Sequence, residues 1–208
     1  MTDPMLGRRR FLAGGLAAAG TVALASCGLG TSSMPDESTD GAGSKGFSGS
    51  LVSPPLAKPT VRLTALDGTP YDIRTETKGQ LTLLFFGYTS CPDICPVYLN
   101  TLARAQASLG GSPGSRAKVL FVGVDTKRDT PKAIRKFLDA FDESFIGLTG
   151  SPTAIADAAA ELHLPAPTFE EPDAKGNYVV GHPSQVTVFT PDDKAHRIYP
   201  TGVTAEQG

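Results

Sequence analysis

From Leu81 to Tyr88 the chain is almost continuously apolar, a run of strand length that predicts a strand covered on both faces. Gly87 interrupts it. Beyond Pro96, Val97, Leu99, Leu102, Gln106 and Leu109 recur near a 3.6-residue period, which predicts a helix. A second apolar run, Ala117 to Val124, predicts another buried strand. Thr130-Pro131 then offers an N-cap and a first-position proline, and Ile134, Phe137, Leu138 and Phe141 form a helical stripe. Phe145 to Leu148 predicts a short strand. Ser151-Pro152 repeats the cap, with Ile155, Ala159 and Leu162 as the next stripe. Val61 to Leu66 alternates, Asp67-Gly68 turns and Pro70 to Ile73 returns, which predicts a hairpin. Near the end, Val186–Phe189, a turn at 191–194 and His196–Tyr199 predict another. Pro165 to Gly176 reads as a Pro-rich, acidic loop.

The N-terminal stretch has a different character. Arg8-Arg9-Arg10-Phe11-Leu12 precedes a small-residue apolar run, Ala13 to Ala25, too short for a good membrane span. It ends in Leu24-Ala25-Ser26-Cys27, similar to a bacterial lipobox. Residues 1–27 are therefore expected to be a twin-arginine lipoprotein signal peptide with Cys27 lipidated, which predicts a body anchored on the extracytoplasmic face of the cell membrane. Residues 28–50, rich in Gly, Ser and Thr, read as a flexible tether. Residues 51–208 are expected to form the folded domain. A net charge of −2 over 208 residues, with no basic block in the body of the chain, argues against nucleic acid as a partner. The chain has three cysteines, and lipidation of Cys27 would leave Cys91 and Cys95 as a pair.

That pair sits in Gly87-Tyr88-Thr89-Ser90-Cys91-Pro92-Asp93-Ile94-Cys95-Pro96, at a strand-to-helix corner. Pro96 is expected to keep Cys95 out of the helix and to take the first helical position itself. Both sulfurs would then lie at the positive end of the helix dipole, where a thiol pKa should fall. A thiolate attacks disulfides and binds soft metals, so the corner suits redox chemistry or metal binding. Strands alternating with helices, closed by a hairpin, predict an α/β domain. With a dithiol at the end of the first central strand, the expected fold is thioredoxin-like: a central mixed sheet flanked by helices, with an N-terminal hairpin. A last helix should begin near Thr204, so the chain is expected to lack most of it.

The dithiol block closely resembles the signature of the Sco/SenC family, copper-handling proteins of cytochrome oxidase assembly. Val124-Asp125-Thr126-Lys127-Arg128-Asp129-Thr130-Pro131 resembles that family's second block. Its third block, Asp-His-Ser, corresponds here to Gly181-His182-Pro183, with Thr190-Pro191 at the expected distance. The resemblance implies copper, as Cu(I) with Cu(II) as a second state, bound by Cys91, Cys95 and His182. It further implies a metallochaperone rather than a catalyst, delivering copper to the dinuclear site of cytochrome c oxidase subunit II. Gly181 and Pro183 depart from the pattern. Loss of the family's Asp removes a partner that would orient the imidazole.

The alternative is a membrane-tethered thiol–disulfide oxidoreductase using Cys91 and Cys95 as its redox pair. Pro183 lies near the place of the cis-proline that faces the dithiol in thioredoxins. The remaining candidates have plainer expected roles. His163 ends a helix, and His196 is expected to be solvated. Asp93 caps the helix or tunes the thiols, Asp125 ends its strand or serves the site, and Tyr88 packs beside the corner.

Overall fold

The computed structural model describes residues 49–108 and 117–200. The leader, Cys27, nearly all of the tether, Leu109 and the helix start at Thr204 fall outside the described residues. The described chain opens with β1 (Ser50–Ala57), whose first residue belongs to the stretch read as tether. Lys58 follows, fully buried, donating from Nζ to Thr77 O and to Asp193 Oδ1, both at 2.7 Å. It ties the exit of the first strand to the turn between the last two.

The predicted hairpin is β2 (Leu63–Ala65) and β3 (Pro70–Tyr71), paired antiparallel. Asp67 Oδ1 accepts from the Thr69 amide and hydroxyl, and Gly68 adopts a φ of 88°, which glycine tolerates best. The return strand is shorter than expected. Asp72 turns to cap a single-turn helix, α1 (Ile73–Glu76), by accepting from the Arg74 amide.

The alternation then runs β4 (Thr82–Gly87), α2 (Ile94–Ser108), β5 (Lys118–Gly123), α3 (Pro131–Asp139), β6 (Ile146–Thr149) and α4 (Pro152–Ala160). Thr130 and Ser151 cap α3 and α4 as predicted, each with proline in the first turn. Two short strands follow, β7 (Thr168–Phe169) and β8 (Val180–Gly181), and then β9 (Val186–Phe189) and β10 (Lys194–Tyr199).

Eight strands form one mixed sheet in the order β1-β10-β9-β4-β5-β6-β2-β3. The parallel pairs are β4 with β5 and β5 with β6; β9 lies antiparallel on the other side of β4. Leu84, Phe85, Phe86, Leu120, Phe121 and Val122 are essentially inaccessible, so the unbroken apolar runs mark strands covered on both faces. The expected architecture is found: a mixed sheet flanked by helices, with a dithiol after β4. Its two outer strands are β1, which contains Pro54 and Pro55, and β3, which contains Pro70. Pairing of β1 with β10 slips in register between Leu51 and Leu56. The two-stranded β7–β8 sheet stands apart from the main one and leads directly into His182. Among the described residues, no helix is long and apolar enough to cross a membrane.

Candidate metal centre

Cys91 and Cys95 come from the β4–α2 corner and His182 from the segment leaving β8. Folding brings the two sulfurs and one imidazole nitrogen within 4.8 Å of one another. Cys95 Sγ lies 3.6 Å from His182 Nε2. Two ligands at about 2.3 and 2.0 Å from one ion span that distance at an angle of about 110°, so the spacing suits a shared metal. Two sulfurs and an imidazole form a soft donor set.

The corner differs from expectation in one respect. Cys95 is the second residue of α2, and Pro96 lies inside the first turn rather than at its first position. The turn tolerates this because its amides have no partner within the helix, so a missing N–H costs nothing there. Nor does the dipole govern the Cys95 thiol. Burial pushes its pKa up, reinforced by Cys91 and Asp129, while the Tyr88 backbone only partly opposes the rise. Cys95 has no solvent exposure and Cys91 has 7 %. In the metal-free protein the Cys95 sulfur therefore holds its proton; a bound cation would supply the charge that burial withholds.

The proton positions follow from the neighbours. His182 Nδ1 is 2.9 Å from Pro183 O, which can only accept, so Nδ1 carries the hydrogen. Nε2 of the neutral ring is then a bare acceptor aimed at Cys95 Sγ, and the same lone pair is the one a metal needs. This answers the missing carboxylate at position 181: a backbone carbonyl does the orienting. A Cβ at Gly181 would lie 2.4 Å from the Thr168 hydroxyl, an exposed group that would have to turn away, and at 3.8 Å or more from its other neighbours. Gly87 is more constrained, since a Cβ would meet Cys95 Sγ and the Phe121 ring, each at 2.8 Å.

The imidazole is gripped by aromatic rings. It stands edge-on to Phe85 at 6.1 Å and to Tyr88 at 5.5 Å between centroids. Tyr88 is buried beside the corner, as expected. Asp93 is exposed just before α2. His163 follows α4 with a φ of 57°, and His196 is paired with Asp192 Oδ2 at 2.8 Å rather than merely solvated; neither belongs to the sulfur cluster.

Sequence reasoning passed over Arg128, Asp129, Thr89 and Tyr178, and left Asp125 undecided. Asp129 is buried and accepts from the Thr89 amide at 2.9 Å and its hydroxyl at 2.8 Å, which fastens the dithiol loop to the loop after β5. Its carboxyl pKa is raised by burial, with these hydrogen bonds opposing. Asp125 is completely buried. It accepts from the Arg128 guanidinium and, at 2.9 Å, from the Tyr178 hydroxyl. The available signal in the sequence was the block at 124–131, which contains Asp125, Arg128 and Asp129, but nothing local marks their partners Thr89 and Tyr178.

Comparison with known proteins places this geometry. Residues 56–208 match the SCO1/SenC family. An SCO2-like protein of Rickettsia conorii is 38% identical over 107 residues, 51% of this chain and 52% of that protein. The matches span about half the length of such curated relatives. The solution structure of apo Sco1 from Thermus thermophilus superposes with a TM-score of 0.66 at 32% identity, covering 77% of this chain and 90% of that one. Arabidopsis thaliana ScoI, solved with copper bound, gives a TM-score of 0.60 at 28% identity, with 73% and 89% covered.

Proposed function

The chain belongs to the SCO1/SenC family, and on that premise we propose that it is an extracytoplasmic copper chaperone, tethered to the membrane through lipid on Cys27 after twin-arginine export. Copper is its cargo, held by Cys91, Cys95 and His182 and delivered to the dinuclear copper site of cytochrome c oxidase subunit II. The observation that carries this reading is the convergence of the three donor atoms within 4.8 Å, from two segments far apart in the chain.

The chain's own residues account for loading and release. Copper binding displaces the Cys95 proton, and the freed thiolate is stabilised by the metal rather than by solvent. Nδ1 stays bonded to Pro183 O, so Nε2 faces the cargo without reorientation. Phe85 and Tyr88 pack edge-on with the ring and fix its orientation. Release proceeds by ligand exchange, each donor of the target replacing one of these.

A thiol–disulfide oxidoreductase is the second reading, favoured by two unpaired cysteines so close together. Burial of both sulfurs, with Cys91 at 7 % exposure and Cys95 at none, weighs against it, since exchange needs a sulfur that a partner's disulfide can reach. The two are separated by titrating the reduced protein with Cu(I) against a chelator, beside His182→Ala and Cys95→Ser. Tight one-to-one binding that weakens at least tenfold in each variant supports the chaperone. Unchanged affinity in His182→Ala removes histidine from the site. Turnover of protein disulfides without copper binding transfers the case to the reductase.

A further inference from the structure

The two carriers of the site are separate in the fold, and one loop touches both. The dithiol loop hangs on Asp129 through Thr89. Four residues before His182, Tyr178 hangs on Asp125 through its hydroxyl. Between them lies Arg128. Its guanidinium is paired with the buried Asp125 carboxylate, donates to Tyr178 O at 3.2 Å, and stacks 3.8 Å from the Tyr178 ring centroid. On its other side it stands 5.6 Å from the ring of Tyr88, the ring that meets the His182 imidazole. Both distances are in the range of a cation–π contact.

We infer that Arg128 is a positioning residue for the third ligand: pinned by Asp125 and lodged between Tyr178 and Tyr88, it holds the segment bearing His182 against the dithiol loop. The planar fork is what the place requires. It pairs with a carboxylate, donates to a carbonyl and stacks on rings at once, and a lysine could do only the first of these well. β7 and β8 are two residues each and stand apart from the main sheet, so main-chain pairing alone anchors the His182 segment weakly. The contacts of Arg128 and Tyr178 supply what the ladder does not. Asp125 is already held by backbone donors of its own loop, the Lys127 and Arg128 amides at 3.3 and 3.4 Å. It is therefore a fixed post, and the segment bearing His182 is the part that would move.

This inference rests on the reading of Cys91, Cys95 and His182 as ligands, and its test includes a measurement that needs no copper. Arg128→Met, Arg128→Lys and Tyr178→Phe are made in the full-length protein, each alone and with His182→Ala. Amide hydrogen exchange of the metal-free proteins is followed at 178–182, with the β4 and β5 amides as the internal reference. Arg128→Met is expected to lose protection at 178–182 and to leave β4 and β5 unchanged. Cu(I) affinity should fall about 10- to 100-fold in Arg128→Met, the usual cost of removing a group that orients a metal ligand. It should fall by a smaller factor in Tyr178→Phe, and Arg128→Lys should recover only part of the loss. In the His182→Ala background the Arg128 change should have almost no further effect. Equal loss of affinity in both backgrounds, or unaltered exchange at 178–182, overturns the inference. If the unaltered protein ignores Cu(I) while exchange at 178–182 still rises in Arg128→Met, the copper reading fails and the anchoring role of Arg128 stands.

Discussion

Gly87→Ala tests whether the sulfur pair is held in place by packing. The added Cβ would stand 2.8 Å from Cys95 Sγ and 2.8 Å from the Phe121 ring, with Phe85 at 3.1 Å. The rings of Phe85 and Phe121 are wholly buried and tilted against each other at 6.1 Å, so they give way only slightly and at a cost in packing. The thiol moves more freely, by turning about a single bond. An ordinary contact needs about 3.6 Å, so the sulfur must retreat by about 0.8 Å. Overfilling a core in this way costs about 1–3 kcal/mol. Replacing glycine with alanine returns about 0.4–1 kcal/mol through the unfolded chain, which leaves a net loss. Metal sites tolerate displacements of about 0.5 Å, so Cu(I) affinity should fall about tenfold, or about 1.4 kcal/mol.

Gly147→Ala is the matching control. Its Cβ would lie 2.6 Å from Ile134 Cγ2 and 2.7 Å from Leu66 Cδ1, among residues that contribute nothing to the sulfur cluster. Chemical denaturation and chelator competition on both variants separate the effects. Both should lose stability, and only Gly87→Ala should lose affinity. If Gly87→Ala binds Cu(I) as tightly as the unaltered protein, or if Gly147→Ala weakens binding equally, the argument from packing is wrong.

Two further outcomes are expected. Burial, with Glu76 assisting, pushes the Tyr71 hydroxyl pKa up to about 12 from 10.0. The neutral phenol is thus favoured by folding, a contribution intact below pH 10 and lost as pH climbs through about 12; melting temperature should fall across that window, less steeply in Tyr71→Phe. Gly181→Asp, which restores the residue that the family resemblance supplies, should be accommodated by rotation of the exposed Thr168 hydroxyl and leave β7–β8 amide protection unchanged. Loss of protection there, recovered on adding Thr168→Ala, would show that the hydroxyl cannot turn away.

The central architecture was legible because its signals are local. Unbroken apolar runs identify β4 and β5, and Thr130-Pro131 and Ser151-Pro152 mark the starts of α3 and α4 within a residue. β1 was not legible, because Pro54 and Pro55 argue against a strand unless its place at the sheet edge is known. β7 and β8 were hidden for a different reason: two-residue strands carry no period, and their pairing is decided by tertiary contact. The dithiol was plain from its spacing, and His182 followed from the family resemblance. The helix-dipole expectation failed at Cys95 because a sequence shows a helix start but not how deeply it is buried, and desolvation outweighs the dipole there. Arg128 was invisible for the same kind of reason, since its partners Tyr178 and Tyr88 lie 50 and 40 positions away.

The prolines at both margins of the eight-stranded sheet bear on how neighbouring copies meet. An outer strand with free amides invites a second molecule to zip on and extend the ladder. Here the adjacent Pro54 and Pro55 remove one outward donor on one margin, where the slipped register also breaks the straight line, and Pro70 removes one on a margin only two residues long. Among the described residues, each margin is a poorer template for strand addition than an unbroken outer strand would be.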